Sequence, residues 1–320
     1  MWKRKLFQVG VPMLAAGMMA FGVVGSAGGA ALNPGQANKT SNGYLTSLKY
    51  DAALHSLLPA SIKSKGYILV GAQMENAPDD FFSGSSQSAV GFEVNMAKGI
   101  GKVLGVKIKY LQLPEWDSIV PSVQDGRVNM SMTAMNDTTA RQQLINFIDY
   151  LTDGVGILVK AGNPENITGP SGLCGKNVTD VAGTTQEQYL DSLNAAGGVC
   201  ASSQITEVIA PSTAQEIINL GTGRADAILN DNITDAYDQQ TNPAVYSVPY
   251  KPIDPGPYGI GFAKDSGHLM KAVQGAMLKL MSGGTNSVYT KILTAWNVAS
   301  VAIPYPTING CSTTYAADCG

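Results

Sequence analysis

The run Ser131-Met132-Thr133-Ala134-Met135-Asn136-Asp137-Thr138-Thr139-Ala140-Arg141 breaks from apolar residues into a polar turn and then meets one arginine. A guanidinium just past a strand end can grip a carboxylate through two parallel hydrogen bonds, and it keeps its charge when water is excluded. A solvated helix face is the plainer role for Arg141. Further along, Gly183-Thr184-Thr185-Gln186-Glu187 reads as a turn opening a helix. Free backbone N–H groups beside a threonine hydroxyl there can hold an anion, or the hydroxyl can simply cap the helix. Asp231 follows the run Ala225–Asn230; at a strand end it can face an ammonium group or cap the next helix. The two histidines of the chain, His55 and His268, fall outside these segments, and no Ser, His, Asp order or paired-carboxylate motif stands out. Binding chemistry is therefore better represented than acid–base catalysis.

The surrounding elements have to position these groups. Gly91 to Lys98 opens a helical pattern with Val94, Ala97, Ile100 and Leu104 on one side, stopped by Gly105. Lys107 to Leu111 alternates as a strand. Glu115-Trp116-Asp117 starts a second helix, with Ile119, Val120 and Val123 as its apolar side and Gly126 as its C-cap. Val128 to Thr133 is the next strand. Helix, strand, helix, strand implies a parallel sheet with helices on its faces, and such sheets bind ligands at the carboxyl ends of their strands. Asn136, Asp137 and Arg141 stand at one such end.

The pattern continues with strands over Gly156–Lys160, Asn177–Ala182, Ala225–Asn230 and Pro257–Phe262, and helices over Thr213–Gly221 and Leu269–Met281. The chain passes Gly162-Asn163-Pro164 into a new block and returns through the Pro-rich stretch Tyr250–Pro257. Two crossings mean two α/β lobes, the first discontinuous, with a cleft between them that a ligand would hold closed.

Residues 1–31 read as a cleaved secretory signal: Lys3, Arg4 and Lys5 precede an apolar, glycine-containing run with small residues at its end. The run is short for a membrane span, and no cysteine offers a lipid anchor there. The expected location is the periplasm. The full chain is formally −3, and losing three basic residues leaves about −6. An acidic chain without a basic cluster argues against nucleic acid as partner. Asn33 to Ser47, rich in Gly, Ser, Asn and Thr, reads as a flexible leader, and Leu48 to Ser64 as one helix. Four cysteines in an exported chain imply disulfides, and the sequence-local pairs Cys174 with Cys200 and Cys311 with Cys319 are favoured over a zinc site, for which close spacing and histidines are lacking.

The segments Gly91-Phe92-Glu93-Val94, Glu115-Trp116-Asp117-Ser118-Ile119-Val120-Pro121, Thr138-Thr139-Ala140-Arg141 and Phe147-Ile148-Asp149-Tyr150, in that order, resemble the periplasmic amino-acid-binding proteins of polar amino-acid uptake transporters. These are family 3 of the bacterial solute-binding proteins, and the likeness runs from about Tyr67 to Trp296. The resemblance implies an α/β, type II periplasmic-binding-protein fold divided into a signal (1–31), an extension (32–64), lobe 1 (65–158 and 253–300), lobe 2 (159–252) and a tail (301–320). It implies a free amino acid as ligand, its carboxylate on Arg141 and Thr185 and its ammonium on Asp231. Ala134, Asn136, Gln186 and Trp116 would complete the site, with Gln73, Asn76 and Asp80 at its side-chain end. Trp116 could instead be packing only. No cofactor or metal is implied; the protein would act as a monomer that delivers its ligand to the membrane permease of an ABC transporter.

The chain departs from the family pattern where Asn76 replaces an aromatic residue, Ala77 a proline, and Asn136 a serine or threonine. Glu75, Asp79 and Asp80 would suit a cationic ligand, whereas Gln73, Asn76 and Asn136 would suit an amide or a carboxylate, so the side-chain class stays open. The competing reading is an enzyme of the cyclohexadienyl dehydratase kind on the same fold; a third is a sensor domain that docks to a separate membrane protein.

Overall fold

The computed structural model describes residues 32–83 and 88–313. The expected signal and Cys319 lie outside the described residues. In chain order the strands are β1 (Tyr67–Ala72), β2 (Glu75–Asn76), β3 (Asp80–Ser83), β4 (Ser88–Val90), β5 (Lys107–Gln112), β6 (Met130–Ser131), β7 (Ile145–Lys160), β8 (Asn177–Val181), β9 (Thr206–Ala210), β10 (Ala227–Asp231), β11 (Tyr246–Ser247) and β12 (Ile253–Ala263). Nine of them form one sheet in the order β5-β1-β6-β12-β7-β10-β8-β9, with β11 also on β7. β1 pairs parallel with β5 and β6, and β8 parallel with β9 and β10, as the helix–strand alternation requires. β7 and β12 are antiparallel to each other and carry the chain between the two parallel halves. β2, β3 and β4 make a small separate sheet.

Each half has its own core. One gathers Ile68, Val70, Phe92, Met96, Ile100, Tyr150, Phe262 and Met277; the other gathers Ile157, Val178, Leu190, Cys200, Ala227 and Leu229. Helices α4 (Phe92–Leu104), α5 (Ile119–Gln124) and α6 (Thr139–Leu144) follow strands of the first half, and α7 (Thr185–Asn194), α8 (Thr213–Thr222) and α9 (Asn232–Thr241) belong to the second. The chain then returns to the first half through α10 (Gly267–Met281) and α11 (Val288–Ala295). Gly105 stops α4 at φ 67°, as read from the sequence. The helix expected from Glu115 is a 3-10 turn at Trp116–Ser118 followed by α5, and the strand expected over 128–133 is a regular strand only at Met130–Ser131, although the Asn129 and Met132 N–H groups also donate to Leu69 and Gly71 of β1.

The leader is the clearest correction. Residues 34–44 form a helix, α1 (Pro34–Tyr44), and 48–64 form two short ones, α2 (Ala52–Ser56) and α3 (Ala60–Lys65), broken at Pro59. The first helix begins with Asn33 and Gln36 in a reciprocal capping box and Pro34 in the first turn. It packs through small residues, Ala37 and Ser41, while Asn95 Nδ2 donates to Asn38 Oδ1 (2.8 Å) and Asn42 Oδ1 (3.2 Å). Amide-to-amide packing leaves no apolar periodicity for a sequence reading to find.

Cys174 and Cys200 are bonded, S–S 2.06 Å, as expected. Cys311 is buried and not free. The segment before it lies along β7: Thr307 Oγ1 and the Gly310 N–H donate to Asp149 Oδ2 (2.5 and 2.9 Å), and the Phe147 N–H donates to Asn309 Oδ1 (2.8 Å).

Candidate functional site

The turn after β6 sets the cation. Ala134 takes a positive φ of 49°, rare for a residue with a Cβ, and its N–H donates to the buried carboxylate of Glu93 (2.9 Å). Asn136 then bridges to Tyr258 of β12, and Thr138 caps α6 by accepting the Arg141 N–H (3.1 Å). This places the half-buried Arg141 with Nη1 donating to the Asn136 carbonyl (3.0 Å) and Nη2 to the Gly183 carbonyl (3.1 Å), in the turn before α7. Its guanidinium carbon lies 5.7 Å from the Trp116 ring centre, a cation–π distance. Burial lowers its pKa to about 10, so it stays charged at neutral pH.

The opposite wall comes from the second half. Thr184 caps α7, and Thr185 Oγ1 donates across the cleft to Asn136 Oδ1 (2.9 Å). Asp231 ends β10 and is 7% exposed. Its Oδ1 accepts from Gln186 Nε2 (2.6 Å) and from the Tyr258 hydroxyl. Burial raises its carboxyl to about 6, against the lowering pull of those bonds and of Arg141. Arg141 and Asp231 thus share one electrostatic environment, from opposite sides of the cleft.

Beside Asp231 a gap of about 20 Å³, far below the size of open ligand sites, is lined by Gln73, Asn76, Trp116, Gln186 and neighbours including Thr213 and Glu216. Asn76 Oδ1 accepts from Thr213 Oγ1 (2.8 Å), a second hydroxyl reaching across the cleft, and Asn76 Nδ2 donates to Gln73 Oε1 (3.2 Å). Of the residues expected here, Gln73, Asn76, Trp116, Gln186 and Asp231 line this gap, Asn136 and Thr185 line an adjoining cavity with Gln186 and Tyr258, and Arg141, Ala134 and Asp80 line neither. Asp80 is fully buried inside the first half, accepting from the Met74 N–H (3.1 Å) and the Thr133 hydroxyl. Among the described residues no group of histidines, cysteines and acids is arranged to hold a metal.

The family model of the bacterial extracellular solute-binding proteins, family 3, matches residues 68–298. The chain belongs to this family. The L-cystine-binding protein TcyJ of Escherichia coli K12 is 29% identical over 227 residues, covering 70% of this chain and 81% of that protein. Among solved structures, the P235GK mutant of ArgBP from T. maritima is similar with a TM-score of 0.65 and 26% identity, covering 74% of this chain and 97% of that one. The ancestral amino acid-binding protein AncCDT-1, a precursor of cyclohexadienyl dehydratase, also has a TM-score of 0.65 and 26% identity, covering 75% and 99%.

Three residues of this family 3 site escaped the sequence reading. Glu93, quoted only as part of a helix start, is 1% exposed and accepts from the Tyr150 hydroxyl as well as from Ala134; burial raises it to about 7. Tyr258, read as strand, orients Asp231. Glu216 occupies the first turn of α8, where an acid reads as ordinary dipole pairing, yet it is 1% exposed on the cavity wall. Only the inward position of Tyr258 beside the Pro-rich crossing offered a signal.

Proposed function

We propose that this protein binds a free α-amino acid between its lobes in the periplasm, as a monomer, and presents it to the permease of an ABC transporter. In this reading the lobes run over 65–158 with 253–300, and over 159–252. The carboxylate would sit on Arg141 and Thr185, displacing the Gly183 carbonyl and the Asn136 amide oxygen from them. The ammonium would take a place on Asp231. The observation that carries this reading is that Arg141 and Asp231 meet the same turn at the start of α7, Arg141 through the Gly183 carbonyl and Asp231 through the Gln186 amide: a buried zwitterion is tolerable only when both its charges find partners. Trp116, Gln73, Asn76 and Gln186 line the space around the side chain. Relatives named for cystine and for arginine have ligands that share only the α-amino and α-carboxyl groups, which is the part these residues address.

A thermal-shift screen with the twenty amino acids plus ornithine and citrulline tests the reading, since a ligand at 100 times its Kd stabilises by about 2.7 kcal/mol. At least one amino acid is expected to raise Tm, and its decarboxylated amine is expected not to. A screen in which the amine acts as well as the amino acid refutes the carboxylate assignment. Incubation with arogenate or prephenate is expected to yield no product, and turnover would favour the dehydratase alternative.

A further inference from the structure

We infer that the ligand carries a positive charge at the end of its side chain, received by Glu216. The inference deepens the proposed function and rests on it. Glu216 points from the first turn of α8 into the cavity that Asp231, Trp116 and Asn76 also line. Its Oε2 accepts from Asn230 Nδ2 at 3.2 Å, and among the described residues no lysine, arginine or histidine forms an ion pair with it. The charged groups facing it are all acidic: Asp180 on β8, Asp231 on β10, and Asp235 and Asp238 on α9. A carboxylate buried among acids, with one amide donor, is costly unless it takes up a proton or meets a cation. Its carboxyl is accordingly held well above the ordinary range by burial and by those neighbours.

The alternatives raised by the sequence are otherwise engaged. Asp80 is spent on Met74 and Thr133, Asp79, fully buried, accepts from the Thr234 hydroxyl (3.4 Å), and Glu75 meets the Ser212 side chain; none of the three lines the cavity. Glu216 is bordered instead by Asn76, Thr213 and Asn230. The amide and hydroxyl oxygens of these neighbours can accept the N–H groups of a terminal ammonium or guanidinium that the carboxylate does not use. Asn76, standing where the family pattern has an aromatic residue, sets an amide rather than a ring against Thr213 of α8 (2.8 Å).

Isothermal titration with L-arginine and L-citrulline, near-isosteres that differ in the end charge, tests this. Arginine is expected to bind on the order of 10- to 100-fold tighter than citrulline. More protons should be released per arginine than per citrulline bound, read from the heats in two buffers of different ionisation enthalpy, because a protonated Glu216 ionises on meeting the cation. Glu216→Gln is expected to bring the arginine-to-citrulline ratio near one and to abolish the excess proton release with arginine while retaining citrulline binding. Equal binding of the two ligands by the unaltered protein overturns the inference and leaves the proposed function standing, as does a ratio that survives in Glu216→Gln. Failure of every α-amino acid to bind the folded protein overturns both.

Discussion

Replacing Arg141 by alanine removes the cationic half of the proposed site. In the structure its two forks donate to neutral carbonyl oxygens, Asn136 at 3.0 Å and Gly183 at 3.1 Å. A neutral hydrogen bond is worth about 0.5–1.5 kcal/mol net, and one to a charged group about 1.5–3. Both bonds are already charge-assisted through the guanidinium, and exchanging the carbonyls for the two oxygens of a carboxylate makes them a full ion pair, whose truncation costs about 2–5 kcal/mol. That cost includes a ligand carboxylate left facing a methyl group, so Arg141→Ala should weaken binding by about 3 kcal/mol, more than a hundredfold in Kd. The fold should lose only the two guanidinium–carbonyl bonds, because the side chain is half-buried at the cleft edge and lies outside the two cores. Arg141→Lys keeps the charge and loses the fork, and should fall between the two. The assay is calorimetric titration with the ligand found by thermal shift, alongside thermal unfolding of the unliganded variants. Binding within threefold of the unaltered protein, in a variant that unfolds normally, refutes the carboxylate assignment.

The buried acids predict an inverted pH profile. Burial and the Asp137 charge push Asp149 up to about 8, and burial pushes Asp153 to about 7. Protons held by the folded state above the ordinary range of about 4 have already left the unfolded chain, so stability falls as pH rises from about 4 towards 8. Tm of the unliganded protein should be higher at pH 5 than at pH 8, and Asp149→Asn should raise it at pH 8 with little effect at pH 5; a Tm that climbs from pH 5 to pH 8 contradicts this. Removing the Cys174–Cys200 bond, which spans a sequence separation of 26, should cost about 3.5 kcal/mol while leaving ligand affinity unchanged, since neither cysteine lines the cleft; an unaltered melt would show that the cross-link adds nothing. A chain begun at Tyr67 loses the buried Leu45, Leu48, Leu58 and Ile62. At about 1.5–3 kcal/mol each that is comparable to a whole domain's stability, and the shortened chain should show no cooperative unfolding; a normal melt would mean the extension is dispensable.

What could be read from the chain and what could not divides along a physical line. Strands and helices with apolar periodicity, such as Lys107–Gln112 and Gly267–Met281, were legible because burial writes itself into spacing. Arg141, Thr185 and Asp231 were legible because each stands where a strand or turn ends, and the family likeness supplied their grouping. The first helix was hidden because Asn38, Asn42 and Asn95 hold it by amide bonds, which have no period. Glu216 and Glu93 were hidden for a related reason: the sequence displays an acid on a helix, and only the tertiary structure decides whether it meets water, a hydroxyl or an empty wall.

The cleft's polar groups bear on each other in a way that makes closure depend on the ligand. Arg141 with the Gly183 carbonyl, Thr185 with Asn136 and Thr213 with Asn76 all cross from one half to the other. In each at least one partner is neutral, and water can offer every one of these groups an equivalent bond, so together they favour the closed arrangement only weakly. Asp231 is worse placed, a carboxylate raised to about 6 by burial and held by an amide and a phenol rather than by a full positive charge. A zwitterion changes the balance at both ends, giving Arg141 a charged acceptor and Asp231 a charged donor. Because a ligand shifts an equilibrium only by its differential affinity for the two states, the free energy that favours closure has to come from these two ends. The side chain, at Glu216, then decides which amino acid supplies it.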